Sequence, residues 1–126
     1  MEDQMKTLFN VNIIVAILFG LGFVLLPATL LDIYGVSLSD QGITVARLFG
    51  AAILSFPVLL WYAGRSDDPR FMMGASRTVF TYWLLGTIVL VIAQLDGQLD
   101  AAFGWATIGL HGVLLLWHGY YIFVKK

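Results

Sequence analysis

The sequence predicts an all-α fold: a bundle of four transmembrane helices, with a short interfacial helix after the first span and both termini cytoplasmic. Three observations lead there. Of 126 residues, 60% are hydrophobic and 12% charged, which is about half the ~25% charged share of an average soluble domain. Four apolar runs each approach the ~20 residues that cross a hydrocarbon core about 30 Å thick. The charges gather mostly between those runs. A chain this short leaves about a third of its surface exposed when folded, and at a mean hydropathy of +0.87 that surface needs lipid as its solvent. The expectation is a single integral membrane domain over 1–126, with spans at about 8–26, 43–63, 71–95 and 101–124 and the lipid bilayer as its first partner.

The first run, 8–26, is interrupted only by Asn10, Asn12 and two glycines. A secretory signal peptide has a shorter apolar region and a small-x-small cleavage site; nothing of that form follows, so a span is the better reading. Pro27 lacks an N–H and disfavours helical geometry at Leu26, so the helix should end or kink there. Residues 28–34 place Leu30, Leu31 and Tyr34 on one face and close at Gly35, which reads as a short interfacial helix with Tyr34 near the headgroups. Ser39 and Asp40 offer an N-cap to the second run, which carries a bending proline at Pro57 and ends in Trp61, Tyr62 and Gly64. Asp68 should cap the third helix, with Pro69 at its first position. Asp96-Gly97 reads as a turn and Asp100 as the cap of the fourth helix. Connectors this short make consecutive helices antiparallel neighbours.

Basic residues bias loops toward the cytoplasm. Lys6, Arg65, Arg70, Lys125 and Lys126 all fall in the amino-terminal segment, the middle connector or the tail, and the other two connectors hold no Lys or Arg. That five-to-none split predicts cytoplasmic termini and far-side loops bearing only the acids Asp32, Asp40, Asp96 and Asp100.

Several side chains inside or beside the spans are candidates for binding. Arg47 enters the membrane about one turn into the second span, where an unpaired guanidinium is costly. The expectation is a clasp with a far-side carboxylate such as Asp32, Asp40 or Asp100; the alternative is an anion or lipid-headgroup site. Arg77 lies near enough to the cytoplasmic end to snorkel toward headgroups or toward Asp67 and Asp68. On the fourth helix, at 100° per residue, Asp100, Thr107, His111, His118, Tyr121 and Lys125 fall within about 40° of one meridian. Such a stripe should face the bundle or a wet cavity. His111 and His118 are separated by about 10.5 Å along one helix, so one chain cannot bring both to opposite faces of a single haem iron. Packing is the commoner use of such histidines. No metal site and no catalytic residue is expected, and enzymatic activity is disfavoured.

Small residues recur at packing spacings: Ala16 with Gly20, Ala46 with Gly50, Ala51 with Ser55, Gly74 with Thr78, and the row Ala102, Ala106, Gly109, Gly112. Other features exclude whole classes of chemistry. The chain has no cysteine, so thiol exchange and iron–sulfur ligation within it are excluded. No Asp or Glu lies in a span, which argues against a carboxylate proton relay and against a carboxylate-bridged di-iron site. A net charge of -1 with no clustered basic face argues against a nucleic-acid partner. Hydrolysis lacks a convincing base, although spacing leaves a Ser–His pairing across helices open.

The stretch L-L-P-A-T-L-L-D-I-Y-G closing the first span, followed by A-R-L-F-G-A-A opening the second, resembles small bacterial four-helix membrane proteins of the DoxX-like kind. The resemblance implies a compact four-helix bundle in the bacterial inner membrane, with Arg47 as the arginine at the start of the second helix. It also implies a kinship with thiosulfate and quinone chemistry among founding members, most relatives having no assigned activity. Three functions follow as expectations. The first is a non-catalytic accessory or structural component packing as a homo-oligomer or within a larger membrane complex. The second is a small carrier or an anion or headgroup binder using Arg47 and the polar stripe on the fourth helix, and the third a redox accessory subunit holding quinone or haem near His111 or His118.

Overall fold

The computed structural model describes residues 2–125, which fold into helices with no strand among them; Lys126 lies outside the described residues. The elements are α1 (Glu2–Leu25), α2 (Pro27–Asp32), α3 (Asp40–Ala63), α4 (Pro69–Leu95), α5 (Ala101–Gly119) and a terminal π-helical turn (Tyr120–Val124). α1, α3, α4, and α5 together with its terminal turn, are each long and apolar enough to cross a membrane. The chain is an integral membrane protein on that ground.

Each boundary has a local cause. α1 begins at Glu2, six residues before the apolar run, because Glu2 and Lys6 pair one turn apart at 2.6 Å and carry the helix beyond the oily segment. Pro27 ends it as expected: Leu26 leaves helical geometry (φ -133, ψ 52), and Pro27 opens α2 at its first position. α2 and α4 stop in the same way. Gly35 (φ 73) and Gly97 (φ 70) take the left-handed conformation that a residue lacking Cβ adopts without strain. The next amide then reaches back to close a Schellman cap, Val36 to the Leu31 carbonyl at 3.0 Å and Gln98 to the Ala93 carbonyl at 2.9 Å. The N-caps are those the sequence offers. Ser39 accepts from the Gly42 amide, Asp68 from Arg70, and Asp100 from Ala102 and Phe103. α3 stays helical through Pro57.

The fourth span departs from a uniform α-helix. After Gly119 its bonding widens, and the Lys125 amide reaches the Tyr120 carbonyl at 3.1 Å, five residues back. The wider turn accompanies two contacts to the amino terminus: Tyr121 donates to Gln4 Oε1 at 3.3 Å and Lys125 Nζ to the same oxygen at 2.8 Å.

The helices pack as two hairpins. In the first, α1 and α3 approach at backbone distance through Ala16, Gly20, Ala46 and Gly50, all buried. A Cβ on Gly50 would stand 2.8 Å from the Gly20 carbonyl oxygen and 2.7 Å from Phe23 Cβ. α4 and α5 form the second hairpin. The two hairpins close on each other at the end where both chain termini lie, around Leu8, Phe9, Leu60, Ala63, Ala75 and Leu114. Toward the opposite end, where the α2–α3 and α4–α5 connections lie, they part.

Candidate functional site

The parting of the hairpins leaves a chamber of about 590 Å³, within the ~300–1,000 Å³ range of small-molecule sites. Its walls are apolar almost throughout. α1 contributes Val15, Phe19 and Phe23, α3 contributes Phe49, Ile53 and Phe56, and α4 and α5 supply Leu90 and Leu110. Phe49, Leu85 and Val89 line the chamber and are also exposed on the outer surface. The chamber therefore opens sideways, between α3 and α4, toward the space that lipid fills.

Asn12 and Trp83 close the chamber toward the packed end. Asn12 is 1% exposed; its Nδ2 donates to the Leu8 carbonyl at 2.8 Å, and its Oδ1 accepts from Trp83 Nε1 at 2.8 Å. An amide in a membrane helix must find such partners, and here the partner stands on the other hairpin. At the loop end, the Tyr34 hydroxyl and Thr107 Oγ1 lie 2.7 Å apart, and the Asp100 amide donates to the Tyr34 carbonyl at 2.7 Å. These bonds pin the segment after α2 to the start of α5. Tyr34, read from sequence as a headgroup residue, thus spends its hydroxyl on the bundle.

His111 stands in the chamber wall, 4.6 Å from Trp83 between ring centroids in an edge-to-face contact. Its Nδ1 lies 3.0 Å from the Thr107 carbonyl oxygen. Among the described residues neither His111 Nε2 nor the Tyr82 hydroxyl has a hydrogen-bond partner. The other hydroxyls bordering the chamber on α4 are spent, Thr78 on the Gly74 carbonyl and Thr81 on that of Arg77. His118 lies deeper, fully buried and stacked on Phe9 with ring centroids 6.3 Å apart. Its Nδ1 is 2.7 Å from Ser76 Oγ, and its Nε2 is sealed in with no partner. A Ser–His pair across helices therefore exists, but both side chains are 0% exposed, so no substrate reaches the hydroxyl.

The remaining candidates scatter. The expected clasp on Arg47 is not formed: among the described residues the one ion pair is Lys6 with Glu2. Arg47 is exposed and lies outside the chamber lining, because Ala46 and Gly50 take the buried face of α3 and turn the guanidinium outward. Asp32 borders a shallow depression with Thr29 and Ser37, Asp40 opens α3 on the exposed surface, and Asp100 is spent as a cap. Arg77 is exposed and pairs with neither Asp67 nor Asp68, and Tyr121 belongs to the contact with Gln4. Of the predicted stripe, Thr107, His111, His118 and Tyr121 face the bundle interior, and of these His111 and Thr107 border the chamber.

Asn12, Tyr34, Tyr82, Trp83 and Gly86 join the site without having been singled out as binding residues in the sequence. Asn12 carried a usable signal, being a polar amide in an apolar run. No family model, curated protein or solved structure matches the chain.

Proposed function

We propose that this chain is a non-catalytic membrane binding protein that takes an apolar molecule from the lipid phase into the chamber between its hairpins. One observation carries the reading: an apolar cavity of about 590 Å³ that opens sideways between α3 and α4. Among the described residues no carboxylate borders the chamber, and the Thr78 and Thr81 hydroxyls on its wall are spent on backbone carbonyls, so the chemistry that fits it is that of holding. The carrier reading then keeps the stripe, through Thr107 and His111, and drops Arg47. Purification in mild detergent followed by extraction and mass spectrometry tests it. An apolar molecule should be retained by the wild-type chain and lost when Val15→Phe and Ile53→Phe fill the cavity. Equal retention by the filled variant, with its helical content intact, would place the molecule elsewhere and overturn the reading.

The same proposal has both termini in the cytoplasm, on the five-to-none distribution of basic residues. It keeps the DoxX-like kinship and a bacterial inner membrane as the setting, on the motifs around Pro27 and Arg47. For the redox alternative, a quinone would enter by the same side opening and meet His111, and haem would have the imidazole of His111 alone, since His118 is sealed.

A second reading, an accessory component of a membrane assembly, draws on a different surface. Among the described residues a Cβ on Gly74, Gly109 or Gly112 would meet nothing within 4 Å, so these small residues are not needed for a close helix approach there and leave outer faces on which another helix can pack. Cysteine cross-linking from position 109 in native membranes should yield a dimer or a heterologous adduct. A chain that stays monomeric under those conditions removes this reading.

A further inference from the structure

Resting on the chamber reading, we propose that the chamber selects apolar molecules bearing a hydrogen-bond donor, an alcohol or a phenol, and that His111 Nε2 receives it. The Thr107 carbonyl can only accept, so the 3.0 Å contact places a proton on His111 Nδ1. Among the described residues no carboxylate borders the chamber to compensate an imidazolium, and burying an unpaired charge in apolar surroundings is costly. The ring is thus the neutral tautomer, with a free lone pair on Nε2. Thr107 is itself held by its bond to Tyr34, and the imidazole is braced edge-on by Trp83, so the acceptor is preorganised.

Gly86 keeps that acceptor reachable. A Cβ there would stand 3.5 Å from His111 Nε2 and 3.3 Å from its Cδ2, close enough to screen the lone pair. The glycine is otherwise unfavourable within a helix interior, and no turn or positive φ requires it. A site whose buried polar atom expects a partner rejects an analogue that lacks one far more strongly than an apolar wall rejects a lost methylene.

The probes are 4-octylphenol and 4-octylanisole, which differ by methylation of the one donor. Binding is measured by titration calorimetry on the full chain in lipid nanodiscs. The wild-type chain should prefer the phenol by about tenfold or more. In His111→Phe both probes should still bind with that preference gone, and Gly86→Ala should lower it several-fold. Equal binding of the two probes by the wild-type chain overturns donor selection while leaving the chamber reading intact. Binding of neither, with helicity unchanged, overturns both. A preference retained in both variants overturns the assignment to His111, and if His111→Phe fails to fold, Gly86→Ala alone decides.

Discussion

The two ends of the bundle are built from the same kinds of residue and behave differently. At the termini end, all four spans contribute to one packed cluster in which Leu8, Leu60 and Ala63 are wholly buried and even His118 is sealed. At the loop end, the two hairpins diverge around the chamber, and large side chains such as Phe49 and Leu85 are shared between cavity and surroundings. Helix packing in lipid depends on close van der Waals fit and on a few polar contacts, since burying apolar surface away from lipid gains little. A chain can therefore leave one half of its interhelical space open if the other half and the individual hairpins hold. The Asn12–Trp83 bond marks the border between the two regimes.

The largest effect should come from the hairpin that must hold if the chamber is to stay open. Gly50→Val places a branched side chain against the Gly20 carbonyl oxygen and the Phe23 Cβ, neither of which yields as the tip of a flexible side chain does. Overpacking costs about 1–3 kcal/mol and occasionally more, and the unyielding neighbours put this case at the upper end. Thermal unfolding in detergent, followed by far-UV circular dichroism, should show a strongly lowered midpoint.

A matched pair of enlargements tests the contrast between the ends directly. Ala63→Leu, in the packed cluster, should cost about 2–3 kcal/mol. Val15→Phe, into the chamber, should change stability by less than about 1 kcal/mol because the added atoms occupy space already present. Equal destabilisation by the two would show that the loop end is packed in the membrane and that the chamber is absent.

At the border, Asn12→Ala leaves the Trp83 indole N–H buried without its acceptor, a loss of about 1–2 kcal/mol. Trp83→Phe should recover part of that loss in the double variant, with a coupling of about 0.6 kcal/mol and no more than about 1.7, the average and the upper end for hydrogen bonds between membrane helices. A coupling near zero would mean the hairpins are not joined there.

How much of this could be read beforehand depends on the range of the interaction involved. The boundaries at Pro27, Ser39, Asp68 and Asp100 were legible because a cap or a missing N–H acts within a few residues. The Gly20–Gly50 contact was legible in part, since small residues four apart advertise close approach without naming a partner. The inward stripe of Thr107, His111 and His118 followed from helical periodicity alone. The chamber was not legible, because an opening between hairpins is a property of how two rigid bodies meet and no single residue encodes it. The π-helical turn was equally hidden, as the contacts that accompany it join Tyr121 and Lys125 to Gln4 across the length of the chain.

Arg47 gives the smallest expected effect and the clearest lesson about charge in lipid. Sequence reasoning expects so costly a group to be paired, and the far-side acids are close in sequence. The guanidinium instead lies on the outer face of α3 and has no ion pair among the described residues, within two turns of the helix start at Asp40. A long side chain there can lay its apolar stem along the helix and hold its charge at the headgroups. Arg47→Gln then removes no contact within the protein and should shift folding stability by no more than about 0.5 kcal/mol. It should also leave ligand retention by the chamber unchanged. A loss of 2 kcal/mol or more in the same unfolding assay would instead signal a broken buried pair and would restore the clasp with Asp32, Asp40 or Asp100, drawing the loop end tighter than the open chamber allows.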